Sequence, residues 1–264
     1  MKVKRLDLVG LGSAIIDFAP VNIGVPLSEV ESFIPSAGGA VSNILVAASR
    51  LGLRTGFIGC VGDDEFGAFI IKDFEKEGVD TSAIKRVKER ATGLAFYSVD
   101  KNGERNYVCY RFPGYADPES SLRPEDIKPE YIEQAKIFHF SESFLRRAET
   151  RDAVLYALEI AKKKSVLVSY DPNIRSALWK SERGLISVQK NAIRFVDIFI
   201  ATSTEASLIT GKRAADESLK RILDLGPKIV LIRTKNHYIV GSGEGILRIP
   251  IFTVKAVDTS GAGD

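Results

Sequence analysis

Asp258-Thr-Ser-Gly-Ala-Gly-Asp264 follows the apolar run Phe252-Thr-Val-Lys-Ala-Val257, and the junction reads as a strand opening into a glycine-rich turn. Glycine lets the chain reverse and lets another molecule approach the backbone closely. A helix beginning at that turn would present free N–H groups and the positive end of its dipole, both of which favour an anion. Asp264 would then set a carboxylate beside that anion. Amide donors for a charged phosphate, with an acid for the acceptor's proton, suit phosphoryl transfer.

Working back from this junction, short apolar runs alternate with helical patterns. Residues 6–11, 55–61, 137–140, 166–170, 198–201 and 229–232 read as buried strands, several of them apolar throughout, as in a sheet covered on both faces. Helix periodicity spans 41–51, 67–77, 151–163, 190–195, 205–209 and 216–225. The alternation predicts an α/β fold with a mostly parallel sheet. Two stretches break it: residues 20–35 carry no helical period, and residues 92–111 hold two strand-like segments around Asp100-Lys-Asn-Gly103, a hairpin signal. Both are expected to stand outside the main sheet as a small β lid over a cleft, with lid segments at about 18–37 and 92–113 of a single domain, 1–264.

Composition narrows the function. The chain has 264 residues, 45% of them apolar, and a formal charge of +3 with both signs interspersed. That balance is too mild for a nucleic-acid partner. No apolar run is long enough to span a bilayer, the N-terminus reads as leading straight into a strand, and the two cysteines lack metal or redox spacing, so a cytoplasmic protein with no membrane partner is expected. There is no Gly-x-x-x-x-Gly-Lys-Ser/Thr loop. Val9-Gly-Leu-Gly-Ser-Ala-Ile15 fails as a dinucleotide fingerprint, because Ile15 stands where strand–helix packing needs a small residue.

Four further segments carry candidate chemistry, each with a plainer reading beside it. In Ala37-Gly-Gly-Ala-Val-Ser-Asn43, two glycines precede an alanine-rich helix, and Asn43 is either a hydroxyl ligand or a local cap. Gly59-Cys-Val-Gly-Asp-Asp-Glu-Phe-Gly67 reads as a turn with Asp63 or Asp64 capping a helix. Asp171-Pro-Asn-Ile-Arg175 ends a buried strand, at the edge where ligands bind in open α/β sheets; Asp171, Asn173 and Arg175 face a ligand there or form an Asx-type turn. Glu205 binds a magnesium-bound water or sits in the first turn of a helix, and Asp17 binds sugar hydroxyls or caps a strand end.

Taken in order, these segments resemble the ribokinase-like (PfkB-type) carbohydrate kinases along nearly the whole chain. The resemblance implies a three-layer α/β/α fold with a β lid, and transfer of the ATP γ-phosphate to a sugar hydroxyl with Mg²⁺. It implies Asp264 as base, with Gly261, Ala262 and Gly263 as the anion hole. Asp17, Gly38, Gly39, Asn43, Phe96, Arg111, Asp171 and Arg175 become substrate positions, and Asn173, Thr202, Arg233 and Lys235 nucleotide positions. Glu205 matches the magnesium glutamate; Asp258 and Ser260 match positions that bind a monovalent cation such as K⁺. Three departures stand out: Thr202 where relatives have Asn, Arg233-Thr-Lys235 where they read Thr-Leu-Gly, and the end of the sequence at Asp264, from which the 264-residue form alone is expected to be poorly active or unstable. Residues 108–117 and 171–179 look like fructokinases and 2-keto-3-deoxygluconate kinases. Fructose is the expected substrate, the acid sugar or ribose the alternative. A non-catalytic sugar- or nucleotide-binding protein is the reading from another class. A homodimer paired through exposed lid edges is expected.

Overall fold

The structure is a computed structural model that describes residues 5–101, 103, 105–110, 117–252, 254 and 261–264. In chain order its strands are β1 (Leu6–Leu11), β2 (Ile15–Pro20), β3 (Phe33–Gly38), β4 (Thr55–Gly62), β5 (Val79–Val87), β6 (Leu94–Val99), β7 (Arg105–Tyr110), β8 (Ala135–Phe140), β9 (Leu167–Tyr170), β10 (Ile198–Thr202), β11 (Ile229–Arg233), β12 (His237–Ser242) and β13 (Gly245–Pro250). The helices are α1 (Ala40–Arg50), α2 (Glu65–Lys76), α3 (Pro129–Glu133), α4 (Ala148–Lys163), α5 (Glu182–Ile193), α6 (Ser203–Thr210) and α7 (Ala215–Leu223).

The main sheet has the order β13-β12-β11-β10-β9-β8-β1-β4-β5 among the described residues. From β5 across to β11 every pairing is parallel; β12 and β13 add an antiparallel edge. The parallel strands are apolar because helices cover both faces, and every residue of β4 is buried. One core cluster joins α1 and α2 to the sheet through Val41, Leu45, Phe57, Ile70 and Phe74. The other gathers Phe138, Phe140, Tyr170, Phe199 and Ile232 under α3 to α7.

A second sheet, ordered β3-β2-β6-β7, stands apart from the first. The hairpin around Asp100–Gly103 forms as its spacing predicts. The stretch 20–35 is corrected: the strands flank it, pairing Pro20 with Phe33, while 21–32 holds only a short 3₁₀ turn. Asp64, not Asp63, caps α2 by accepting from Gly67 N–H at 2.7 Å. Its carboxylate also accepts from Thr92 N–H and Oγ1, both at 2.7 Å, which ties the root of β6 to the main body. Asp63 pairs instead with Arg86.

Other expectations are corrected at the element level. α5 begins at Glu182 rather than 190, because Ser181 caps it through Gly184 N–H. β5 and β13 form where no strand was expected. Of the strand expected through 252–257, Phe252 and Val254 lie outside any strand and are 94% and 76% exposed, and residues 253 and 255–257 fall outside the described residues. Residues 261–264 make a turn, closed by Asp264 N–H donating to Gly261 O at 3.0 Å.

Candidate active site

Parallel strands β8 to β11 deliver their C-terminal ends to one edge of the sheet, and there the loops carry polar residues. Phe140 and Tyr170, the last residues of β8 and β9, stack with ring centroids 4.2 Å apart. This packed base fixes where the following loops start. Asp171 comes directly after β9 and Arg233 ends β11, and Arg233 Nη2 donates to Asp171 Oδ2 at 3.0 Å. Asp171 is only 5% exposed, and burial pushes its carboxyl up to about 7 even though Arg233 opposes the shift. Asp171 Oδ1 and Arg233 Nε are both buried without a hydrogen-bond partner among the described residues.

Asn173 occupies the left-handed region at φ 48°, which asparagine tolerates better than most residues. That conformation turns its Nδ2 to Asp264 Oδ1 at 3.2 Å. Asn43, on the first turn of α1, donates its Nδ2 to Asp264 Oδ2 at 2.8 Å. The carboxylate of Asp264 is thus gripped between two amides that are 130 residues apart in sequence. Gly39 precedes α1 at φ 115°, and a Cβ there would lie 2.2 Å from Ser13 O. A Cβ at Gly38 would lie 2.2 Å from Asp17 Oδ2. Both positions need glycine, and Gly38 allows the Asp17 carboxylate to lie against the entry to α1.

The rest of the loop Asp171-Pro-Asn-Ile-Arg175 is pinned by two acids. Glu205 Oε1 accepts from Ile174 N–H at 2.7 Å. Its Oε2 accepts from Thr202 N–H at 2.8 Å and Thr202 Oγ1 at 2.7 Å, forming the capping box of α6. Both Glu205 oxygens are therefore engaged within the protein, and a magnesium-bound water would share them. Glu142, 1% exposed, accepts from Arg175 N–H at 3.0 Å, Trp179 Nε1 at 2.5 Å and Arg146 Nη1 at 3.3 Å. Burial pushes the Glu142 carboxyl up, against the pull of Arg146 and the N–H donors. Sequence reasoning passed over Glu142. Its signal was a lone acid between apolar residues directly after a buried strand, in Phe140-Ser-Glu-Ser-Phe144.

Asp264, residues 261–263, Asn43, Asn173, Asp171 and Arg233 come together, with Thr202 and Glu205 adjoining them through the pinned loop. A Cβ on Gly263 would meet Arg233 Nη1 at 3.4 Å, and one on Gly261 would meet Asn43 Nδ2 at 3.5 Å. Phe96 belongs to a different surface. It pairs with Phe18, one residue on from Asp17, and so stands on the opposite face of the second sheet from Asp17. There it stacks on Phe18 at 4.4 Å and meets Phe33 edge-on. Arg175 has an exposed side chain, and Lys235 is exposed in the β11–β12 turn. Arg111, Asp258 and Ser260 lie outside the described residues.

The site is thus a carboxylate beside a glycine turn at the C-terminal edge of a mostly parallel α/β sheet, with a separate small sheet in the same chain. The chain belongs to the pfkB family of carbohydrate kinases, whose family model matches residues 5–264. It is 36% identical to a fructokinase of Solanum tuberosum, over 97% of this chain and 77% of that protein. It is equally similar, at 36%, to a 5-dehydro-2-deoxygluconokinase of Clostridium beijerinckii, over 100% of this chain and 79% of that one. Among solved structures, a fructokinase with bound ATP from Xylella fastidiosa superimposes with a TM-score of 0.85 at 26% identity, covering 97% of this chain and 77% of that one. Among the described residues no helix is long and apolar enough to cross a membrane.

Proposed function

We propose that this carbohydrate kinase transfers the γ-phosphoryl group of ATP to a hydroxyl of fructose, with Asp264 as the base. The grip of Asn43 and Asn173 on Asp264 carries the reading, because it aims one carboxylate at the place where a glycine turn would meet phosphate. Asn43 spends one N–H on Asp264, which leaves its carbonyl and second N–H for a sugar hydroxyl. Asp17, against Gly38 and Gly39, takes a neighbouring hydroxyl, and Arg175 reaches the substrate from the pinned loop. Arg111 is proposed beside it, and Phe96 is proposed to act through the packing of the lid.

In the reaction the sugar hydroxyl gives its proton to Asp264. Its oxygen bonds to the γ-phosphorus, and the bond from that phosphorus to the ADP oxygen breaks. Amides at residues 261–263 receive the phosphoryl charge, and Asn173, Thr202, Arg233 and Lys235 border the nucleotide. Most of the acceleration comes from positioning and electrostatics, since such transition states are loose. The second sheet, acting as lid, excludes water that would otherwise accept the phosphate. Mg²⁺ bound to the triphosphate would neutralise phosphate charge. Glu205, an oxygen donor beside the Asp171–Arg175 loop, would take one of that ion's waters. Asp258 and Ser260 are the proposed positions for K⁺. Exposed Ile34 on β3 and Tyr107 and Val108 on β7 support a homodimer paired through the lid edges.

ADP release measured across fructose, 2-keto-3-deoxygluconate, 5-dehydro-2-deoxygluconate, ribose and adenosine tests the substrate. Fructose is expected to give the highest kcat/KM. A higher value for an acid sugar would reassign the substrate, and ADP release with none of them would end the kinase reading.

A further inference from the structure

Arg233 and Asp171 form an ion pair that leaves itself incomplete. A guanidinium facing a carboxylate ordinarily engages both oxygens through two parallel N–H groups. Here a single bond is made, from Nη2 to Oδ2 at 3.0 Å, while Nε and Oδ1 are both buried without partners among the described residues. Nη1 stands outside that side-on fork and lies against Gly263, 3.4 Å from where a Cβ would stand. The next residue is Asp264. The charges around the turn point the same way. Asp171 feels the carboxylates of both Glu205 and Asp264, and Arg233 is the cation that hydrogen-bonds Asp171 among them. A triphosphate entering such a site meets net repulsion unless a positive group faces it.

Resting on the kinase reading above, we propose that Arg233 is the side-chain cation of the phosphoryl-transfer site, and that Asp171 is a positioning residue that aims it. Nη1 donates to an oxygen of the γ-phosphoryl group as the bond to ADP breaks, the sugar oxygen bonds to phosphorus and the hydroxyl proton passes to Asp264. The guanidinium neither gains nor loses a proton, so its contribution is electrostatic and is largest in the transition state. Asp171 holds the guanidinium through Oδ2 and contributes through that bond alone.

The test uses the full-length enzyme and has two arms. In the first, calorimetry compares Mg-AMPPNP with Mg-ADP, which differ by the terminal phosphoryl group. Arg233→Ala is expected to lower the AMPPNP:ADP affinity ratio by about tenfold, and an unchanged ratio overturns the proposal. In the second, Arg233→Ala is expected to lower kcat by roughly 10²–10³-fold with fructose KM within about threefold, and guanidinium ion at tens of millimolar is expected to restore about tenfold of the loss. A kcat within about threefold of the parent, or a loss that guanidinium leaves untouched, overturns it as well. Arg233→Lys keeps the charge and most of the bulk. Should the alanine variant fail to fold, the lysine variant carries both arms, with an intermediate loss of ratio and kcat expected and parental values overturning the proposal. Asp171→Asn, which keeps an oxygen for Nη2, is expected to retain most of the affinity ratio. If the parent phosphorylates no sugar, the kinase reading falls and the binding arm still decides the role of Arg233.

Discussion

Asp264 shows how much a single side chain depends on its neighbours. Its two oxygens accept from Asn43 and Asn173, so its orientation is set by two neutral donors. Replacing it with asparagine would set an amide against two amides and remove the proton acceptor. Asp264→Asn is expected to lower kcat by about 10²–10⁴-fold, the usual value of general-base help, while fructose KM stays within about threefold. Steady-state kinetics on the purified variant measures both, and an unchanged kcat would take Asp264 out of this role. The residue types were legible in sequence, since Asp264, Asn43 and Asn173 each sit in a short motif with recognisable turn chemistry. What sequence did not carry is the conformation that unites them. Nothing in Asp-Pro-Asn announces that Asn173 adopts a positive φ and swings its amide across to a residue 91 positions later. Glu205 is the converse case. Its helix-capping and metal-binding readings were both open in sequence, and the structure shows the capping bonds on Oε2 and a loop bond from Ile174 N–H on Oε1.

At the level of the element, the loop after β9 is rigid because two carboxylates from other strand ends hold successive N–H groups, Glu205 at Ile174 and Glu142 at Arg175. Glu142 also holds the indole of Trp179, the chain's one tryptophan. Its own N–H donates to Pro172 O at 3.0 Å, so acid and loop grip one another in both directions. Glu142→Ala would leave these part-buried donors unanswered. Each such group costs about 1–3 kcal/mol, so a total loss of about 2–4 kcal/mol in unfolding free energy is expected. Because Trp179 sits on the same acid, its emission is expected to shift to longer wavelength, and the KM for sugar to rise as Arg175 loses its anchor. Denaturant titration followed by tryptophan fluorescence reads the first two together. Unaltered emission with parental stability would show that Glu142 does not clamp the loop. A contact between an acid after β8 and a loop after β9 has no period in sequence, which is why this element was read as a turn without its support.

Across the whole molecule, legibility followed burial. Strands β1, β4, β8, β9, β10 and β11 are covered on both faces and read as apolar runs. β5 and β13 lie at the sheet edges, and β13 is exposed throughout, so their composition carries little of that signal. The same burial that made the central strands readable also traps a titratable group. His139 lies one residue from the end of β8, 3% exposed, with Nδ1 3.1 Å from Ser169 Oγ on the adjoining strand and Nε2 without a partner among the described residues. Burial alone pushes its imidazolium down to about 4 from the ordinary 6.5. The folded protein therefore resists protonation that the unfolded chain accepts. Above pH 6.5 both states are neutral at this residue and the protonation term vanishes. As pH falls from 6.5 to 4 the unfolded state gains a proton that the folded state refuses, and stability declines by up to about 3 kcal/mol. Asp171 runs the other way: its raised carboxyl makes the folded state keep a proton, so its destabilising contribution grows as pH rises from about 4 to about 7. The two partly offset one another in the parent, and only a variant separates them. Unfolding of His139→Gln, followed by calorimetry between pH 4 and 7, is expected to show parent stability falling relative to the variant as pH drops through that window. A gap between the two that stays constant with pH would show that His139 is not the buried neutral base of the core.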